Sequence, residues 1–217
     1  AELAATRRDG ATPDEPAAGF HAAVREMAAL ADRLILLGEG ERARLARIGA
    51  PVGHGVVVPN PVDAALYAGA DAALFRQAIG LDDFVLCVGR IEPRKNQAML
   101  AHALRGTGLP LVLIGHAENH AYLAAVHRHG GAELRVLDRL EPDSPLLASA
   151  YAAARVVVLP SWAEGAPLVA LEAAAAGASL VLSDAAAAEL PDGLARRCDP
   201  GDAASIRRAV QEAWETR

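Results

Sequence analysis

The chain has 217 residues, of which 53% are hydrophobic and 22% are charged, and its formal net charge at pH 7 is −6. This length suffices for one large domain, or for one domain and a fragment of another, with a sizeable buried core. The negative charge argues against binding nucleic acid or an anionic membrane surface through bulk electrostatics, but it leaves room for a local basic site that binds a small anion.

Apolar runs in the sequence are short. The longest, around residues 173–176, is far shorter than the roughly 20 residues that a membrane-spanning helix needs. Residues 1–20 contain no secretory signal. Cys87 and Cys198 lie in apolar, strand-like stretches, which is typical of buried free thiols in a reducing compartment. We therefore expect a soluble, cytoplasmic chain, and the start at Ala1 suggests a piece of a longer protein.

The first 80 residues contain few predicted strands. The first twenty residues show no periodicity and are interpreted as a linker or frayed terminus, but from Pro16 onward apolar residues recur at helical spacing. Further along we predict strands over 34–37 and 56–58, a helix over 39–48, and two short helical segments over 63–79. These strands have too few partners for a sheet of their own. We therefore interpret residues 1–58 as the terminal part of an incomplete N-terminal domain, and residues 59–80 as a linker.

Residues 81–217 alternate regularly between short apolar strands and helices of about ten residues. The predicted strands are 84–88, 111–114, 134–137, 156–159, 180–182 and 196–198. The predicted helices are 96–104, 118–129, 144–154, 167–176, 185–190 and 202–215. This pattern predicts an α/β domain with a doubly wound, Rossmann-like parallel sheet that helices cover on both faces. Ligands of such sheets bind at the carboxyl ends of the strands, so the residues that directly follow the strands are the candidate site residues.

The first candidate site follows the strand over 84–88. Gly89 permits a tight exit from the strand, and Arg90 and Lys95 then lie beside the amino terminus of the next helix. Two cations and a helix amino terminus are suited to binding a diphosphate, and a solvated basic loop is the alternative interpretation. Arg94 is expected to face solvent.

The second candidate site follows the strand over 156–159. Glu164 lies in the loop, and Pro167 suits the first position of the following helix. Glu172 lies inside that apolar helix, where burying a carboxylate without partners costs several kcal/mol. Glu172 therefore either faces solvent or binds a group with hydrogen-bond donors, such as the diol of a ribose. The free backbone amides after Glu164 and the cationic loop favour the second interpretation.

Three motifs carry a family resemblance. They are the segment Val58-Pro59-Asn60-Pro61-Val62-Asp63; Val88-Gly89-Arg90 with Lys95-Asn96; and Pro160-Ser161 with Glu164, Gly165, Pro167, Leu168, Glu172, Ala173, Gly177, Ser183 and Asp184. In these motifs the chain resembles, over residues 33–217, the retaining glycosyltransferases of family 4 (group 1 glycosyltransferases). The resemblance implies the C-terminal, donor-binding half of the two-domain GT-B fold.

The resemblance also implies roles for individual residues. It makes Glu164, Arg90 and Lys95 catalytic. It assigns the diphosphate to Gly89, Arg90, Lys95 and Leu168, the transferred sugar to Glu164, Gly165, Ala166 and Pro167, the ribose to Glu172, and the base to Asp138, Arg139 and Leu140. The implied reaction transfers a sugar with retention, without a metal ion or other cofactor, from a UDP- or GDP-type sugar to an unidentified acceptor.

The implied partners are the donor, the acceptor and the missing N-terminal domain, with no nucleic acid among them. The isolated chain is expected to bind nucleotide without efficient transfer. Any association of the full-length protein with the inner face of the membrane would come from the missing part.

The same residues are also compatible with other functions. A sugar-nucleotide epimerase of the same architecture and a nucleotide-binding or scaffolding module without transfer activity stay open as alternatives. His116 and His120 are one helical turn apart, but no cysteine or carboxylate completes a convincing metal site around them. The sequence has no G-x-G-x-x-G, P-loop or G-x-S-x-G motif, which argues against a dinucleotide-binding domain, a P-loop enzyme and a serine hydrolase.

Overall fold

The computed structural model describes residues 16–187, 190–191 and 193–216, so the predicted linker or frayed terminus lies largely outside the described residues. The first section comprises α1 (Pro16–Leu30), β1 (Leu34–Leu36), α2 (Glu39–Arg47), β2 (Gly55–Val57), α3 (Ala64–Ala68) and α4 (Ala72–Ile79). The second section comprises β3 (Val85–Val88), α5 (Gln97–Leu104), β4 (Leu111–Ile114), α6 (His120–Gly130), β5 (Leu134–Leu137), α7 (Pro145–Ala153), β6 (Val156–Leu159), α8 (Leu168–Ala175), β7 (Ser179–Ser183), α9 (Asp184–Ala187), β8 (Arg196–Cys198) and α10 (Ala203–Glu215).

The strands β1 and β2 pair in parallel and form a separate two-stranded sheet. Leu36 is buried, whereas Ile35 is 74% exposed and Val56 is 54% exposed. The large apolar side chains that α1 exposes are Phe20, Met27 and Leu30. The prediction that the strand over 34–37 is buried is therefore wrong for Ile35, because the described residues cover only one face of this small sheet.

Two aspartates begin the helices that join the sections. The carboxylate of Asp63 accepts hydrogen bonds from two backbone N–H groups in the first turn of α3, and Asp71 accepts one in the first turn of α4. Such caps stabilise a helix by about 1 kcal/mol each. The hydroxyl oxygen of Ser149 on α7 accepts a hydrogen bond from the backbone N–H of Phe75 at 2.8 Å, which fixes α4 against α7.

The second section forms a six-stranded parallel sheet in the order β5-β4-β3-β6-β7-β8. The chain enters at the centre with β3, moves outward to β5, returns to β6 beside β3, and moves outward again to β8. The direction of winding thus reverses between β3 and β6, which is where doubly wound sheets open a ligand-binding crevice at the carboxyl edge. The loops that follow β3 and β6 meet at this point.

Every residue of β3, β4 and β6 is buried, because helices cover both faces of the sheet. The largest fully buried side chains of the second section include Phe84, Leu86, Ile114 and Tyr151. Burying one large apolar side chain contributes about 1.5–3 kcal/mol, so this core holds the strand ends firmly in place. The predicted doubly wound α/β fold is confirmed.

The six predicted strands are all present, each within one residue of its predicted ends. The predicted start of α8 is wrong by one residue. Pro167 has φ −70° and ψ 112°, which is extended backbone, so Pro167 caps the helix and Leu168 is its first residue. The predicted helix over 185–190 is observed as α9, and its residues 188–189 lie outside the described residues.

The two cysteines are free and buried, as predicted. Burial raises the pKa of each thiol to about 12, so both remain protonated at neutral pH. Neither has the thiolate character that a nucleophilic cysteine needs. Among the described helices, none combines the length and the apolar character required to cross a bilayer.

Candidate functional site

Two glycines shape the carboxyl edge of the sheet. Gly89 directly follows β3 with a φ of +141°, a backbone conformation that favours glycine, so the predicted tight exit is confirmed. Gly115 follows β4, and a Cβ atom at this position would lie 2.7 Å from the carbonyl carbon of Gly89. The two strand ends can approach this closely only because residue 115 has no side chain.

An ion pair joins the loops that follow β3 and β6. The Lys95 Nζ atom donates a hydrogen bond to Glu164 Oε1 at 2.6 Å, although the two residues are 69 positions apart. The Lys95 side chain is 13% exposed and that of Glu164 is 7% exposed. Such shielding from water strengthens the attraction between the charges. Two of the residues predicted to be catalytic therefore lie in direct contact.

Arg94 also belongs to this cluster, so its predicted orientation toward solvent is wrong. Its guanidinium donates to the carbonyl of Ala163 at 2.7 Å, to Glu164 Oε2 at 3.3 Å and to Glu92 Oε1 at 2.7 Å. The backbone explains the difference, because the Trp162 N–H donates to the Arg94 carbonyl at 2.9 Å and holds the two loops side by side.

Arg90 lies at the outer side of the cluster. Its guanidinium is 3.7 Å from Glu92 Oε2, and its side chain is 66% exposed. Together the cluster contains the three cations Arg90, Arg94 and Lys95 and the two carboxylates Glu92 and Glu164, which leaves one net positive charge. That excess is available for an anion.

The pKa of Glu164 is lowered from its ordinary value of 4.5, although burial by itself raises it. The hydrogen bond and the charge of Lys95 outweigh the burial, with smaller contributions from Ser161 and Arg94. Glu164 is therefore ionised at neutral pH and can only accept hydrogen bonds. A group bound by its carboxylate must bring donors, as sugar hydroxyls do.

The lowered pKa predicts how stability depends on pH. The unfolded chain protonates Glu164 near pH 4.5 and the folded chain only at lower pH, so the ion pair stabilises the fold fully above pH 4.5 and progressively less below it. We expect the urea midpoint of wild type to fall more between pH 6.5 and pH 3.5 than that of Glu164→Gln. Glu212→Gln, at an exposed position on α10, should fall like wild type. Equal acid sensitivity of wild type and Glu164→Gln would contradict the assigned role of the ion pair.

A cavity with a volume of about 570 Å³ lies at the carboxyl ends of β3, β4 and β5. Its lining includes Gly89 and Arg90 from the predicted diphosphate site, and Asp138, Arg139 and Leu140 from the predicted base site. A volume of this size is typical of sites for small molecules. The structure thus brings Gly89 and Arg90 together with the predicted base loop, whereas Lys95 and Leu168 of the predicted diphosphate site are not among the residues that line this cavity.

In the predicted base loop, the side chains of Asp138 and Arg139 are exposed and pair locally, whereas Leu140 is half-buried and packs against the core. The Arg139 guanidinium contacts Glu141 at 3.1 Å, and His116 Nδ1 lies 3.5 Å from Asp138 Oδ1. The backbone N–H of Arg139 contributes most to lowering the pKa of Asp138, and His116 adds to it.

Two of the residues predicted to bind the sugar line a different cavity from the one lined by Arg90. Ala166 and Pro167 line a smaller cavity of about 200 Å³, together with Leu37 and Asn60. The side-chain amide of Asn60 donates to the Ala166 carbonyl at 2.9 Å, so the linker is tied to this loop. Gly165 and the side chain of Leu168 are exposed.

Glu172 is not among the residues that line the large cavity, and its carboxylate does not point freely into solvent. Glu172 is half-buried, and its Oε2 accepts a hydrogen bond from the hydroxyl of Tyr151 at 2.7 Å. Sequence reasoning identified the cost of burying Glu172 but missed the tyrosine that offsets it. Tyr151 places a polar hydroxyl in the largely apolar α7, as Glu172 places a carboxylate in the apolar α8.

Comparison with known proteins complements this geometry. No curated protein matches the chain by sequence. The structure resembles sucrose-phosphate synthase from Thermosynechococcus elongatus (23% identity, TM-score 0.77), covering 97% of this chain and 56% of that one. It resembles Anabaena Alr3699/HepE in complex with UDP and glucose (20% identity, TM-score 0.77), covering 90% and 58%.

A third similar structure is a UDP-forming trehalose-phosphate synthase from Burkholderia xenovorans (18% identity, TM-score 0.68), covering 89% of this chain and 55% of that one. The chain therefore spans less than two thirds of each of these structures, and it shares the Rossmann-like fold of GT-B proteins with them. The sequence model described as "Glycosyl transferases group 1" matches residues 82–216. The chain belongs to the group 1 glycosyltransferase family.

Proposed function

We propose that this chain is the donor-binding part of a retaining glycosyltransferase that uses a nucleoside-diphosphate sugar. One observation carries the proposal: the cluster of Lys95, Arg94 and Glu164 lies at the reversal point of the sheet, beside the 570 Å³ cavity that Arg90 lines. A cationic group next to a nucleotide-sized cavity is suited to a nucleoside diphosphate, and an ionised carboxylate beside the cations is suited to the hydroxyls of a sugar.

In this proposal the base occupies the large cavity, the ribose extends out of it toward Glu172, and the diphosphate lies against Arg90 and Lys95. Breaking the bond between the sugar and the diphosphate develops negative charge on the leaving group. Cations that are already in place stabilise this charge more strongly in the transition state than in the ground state. The Lys95 ammonium has three N–H donors, so it can bind a phosphate oxygen while it keeps its contact with Glu164. The proposed chemistry uses these side chains and no metal ion.

On the sugar side we assign Glu164 as the acceptor of hydrogen bonds from sugar hydroxyls. Lys95 contacts one of its oxygens and Arg94 the other, and a carboxylate oxygen accepts about two hydrogen bonds. Each oxygen therefore retains the capacity to bind a hydroxyl. The backbone amides of Gly165, Ala166 and Leu168 complete the proposed sugar and phosphate contacts.

We assign residues 1–58 to a second domain that this chain contains only in part, and residues 59–80 to the linker. Support for this comes from the solved structures, of which the chain covers only a part, and from the exposed apolar side chains of α1, β1 and β2. The acceptor site would then lie in the second domain, across from Glu164. The sugar, the acceptor and retention are tested on a protein that includes this domain, by the anomeric configuration of the product.

Calorimetric titration with UDP and with GDP tests the proposal on the chain as it stands. We expect one of the two to bind and Glu172→Ala to weaken binding about tenfold, since a hydrogen bond to a charged acceptor is worth roughly 1.5–3 kcal/mol. Glu212→Ala removes a carboxylate from the exposed face of α10 and should leave binding unchanged. If neither nucleotide bound, or if Glu172→Ala bound as tightly as wild type, the site assignment would be defeated.

A further inference from the structure

The carboxylate of Glu172 is held by tyrosines from two other helices. Tyr151 on α7 is fully buried and donates its hydroxyl hydrogen to Glu172 Oε2 at 2.7 Å. Tyr67 on α3 is also buried, and its ring packs edge-on against that of Tyr151 with 5.7 Å between the centroids. Glu172 is thus anchored by a side chain outside its own helix, although the helix alone would leave it several rotamers.

We propose that Tyr151 is a positioning residue that orients the Glu172 carboxylate so that its free lone pairs accept the two hydroxyls of a ribose. This inference rests on the proposed function, in which Glu172 binds the ribose of the donor. The Tyr151 hydroxyl occupies one acceptor position on Oε2, and the hydrogen bond with Tyr67 occupies a second position on the carboxylate. The remaining lone pairs of a carboxylate can accept both donors of a vicinal diol.

A glutamate side chain loses conformational freedom when it binds a ligand, and glutamate is among the side chains for which this loss of rotamer entropy costs most. The Tyr151 hydroxyl is itself fixed in the core and holds the Glu172 carboxylate in place before the ligand binds. Binding therefore loses less rotamer entropy. Burial and the charge of Glu172 raise the pKa of Tyr151 well above its usual value, so the phenol stays protonated as a donor.

The same contacts connect Glu172 to the large cavity. The hydroxyl of Tyr67 lies 3.4 Å from the carbonyl of Pro142, and the preceding residue, Glu141, lines the cavity. Burial, followed by the charge of Glu172 and a hydrogen bond with it, raises the pKa of Tyr67 to about 12. Tyr151 also belongs to the helix that directly follows the predicted base loop. Tyr67 therefore links the Glu172 carboxylate to the backbone of the segment that follows the base loop.

The ratio of the affinities for UDP and 2′,3′-dideoxy-UDP distinguishes a positioning role of Tyr151 from a purely structural one. If the chain binds GDP, the corresponding GDP pair is used. Wild type should prefer the ribose form about tenfold, since the dideoxy form lacks both hydroxyls that Glu172 accepts. Tyr151→Phe keeps the ring and its packing against Tyr67, and it should reduce this preference to about twofold or threefold while leaving the dideoxy affinity unchanged. Tyr122→Phe removes another buried hydroxyl, which accepts a hydrogen bond from the Ala98 N–H, and should keep the full preference.

The possible results distinguish the two proposals. If Tyr151→Phe weakened both ligands equally, or kept the tenfold preference, Tyr151 would serve stability alone and the inference would be overturned while the proposed function stood. If wild type bound both ligands equally, or if Glu172→Ala retained the preference, the ribose assignment itself would fail, and the inference with it. The melting temperature of each variant shows whether a loss of affinity reflects a loss of folded protein.

Discussion

Replacing Lys95 by alanine is expected to weaken binding of the nucleoside diphosphate about 100-fold. Charge-assisted hydrogen bonds contribute about 1.5–3 kcal/mol, and the upper end of this range corresponds to roughly a hundredfold in affinity. The upper end applies here because the Lys95 side chain is only 13% exposed, so water screens its charge little. The loss also leaves the Glu164 carboxylate with Arg94 as its remaining cation, close to the negative diphosphate. Calorimetric titration of wild type and of Lys95→Ala with UDP and GDP measures the effect.

Two further variants separate the direct role of Lys95 from its neutralisation of Glu164. If Lys95 binds the diphosphate itself, adding Glu164→Gln to Lys95→Ala should restore little of the affinity. If Lys95 acts only by neutralising Glu164, the double variant should bind almost like wild type, which would contradict the proposed contact. Arg208→Ala changes the net charge equally at an exposed position of α10, and it should leave affinity within about twofold of wild type.

The second section of the fold could be predicted from the sequence because its signals are local. Each buried strand is a continuous apolar run, and each helix that follows shows its own start and stop residues. The alternation of these elements leaves little choice other than a parallel, doubly wound sheet. The position of Arg90 at the carboxyl edge follows from the same pattern, whereas the loop over 138–140 is implied by the family resemblance, and the two line one cavity.

The side-chain contacts of the site could not be predicted, because they depend on which strands become neighbours. β3 and β6 are adjacent in the sheet although β4 and β5 lie between them in the sequence. This arrangement brings Arg94 to Glu164, and no local pattern around Arg94 distinguishes it from a solvated arginine. The hydrogen bond from Tyr151 to Glu172 likewise depends on how α7 packs beside α8. The exposure of Ile35 also could not be predicted, because it depends on which other parts of the protein cover β1 and not on the apolar sequence of β1 itself.

Replacing Asn96 by alanine is expected to destabilise the fold by about 4 kcal/mol. Asn96 is buried, and its side-chain amide donates to the carbonyls of Pro160 at 3.1 Å and Pro200 at 2.8 Å. Leaving the buried Pro160 carbonyl unsatisfied costs about 1–3 kcal/mol, and the half-buried Pro200 carbonyl, which water reaches in part, costs less. Asn96 also has a φ of +62°, a left-handed conformation that costs alanine a further 1–2 kcal/mol or so. The difference in the free energy of unfolding in urea between wild type and Asn96→Ala measures the sum of the lost hydrogen bonds and the backbone strain.

Two other substitutions at the same position separate these contributions. Asn96→Gly removes the amide but adopts a positive φ without strain, so it should be about 1 kcal/mol more stable than Asn96→Ala. Asn96→Asp keeps the size and tolerates the conformation, but an ionised carboxylate cannot donate to either carbonyl, so at neutral pH it should be at least as unstable as Asn96→Gly. If Asn96→Asp were as stable as wild type, the bridging hydrogen bonds would not be what holds these loops.

The contacts of Asn96 join the loops after β3, β6 and β8, and these loops carry Lys95 and Glu164. A loss of stability at Asn96 should therefore be accompanied by weaker nucleotide binding, even though Asn96 does not contact the cavity through its side chain.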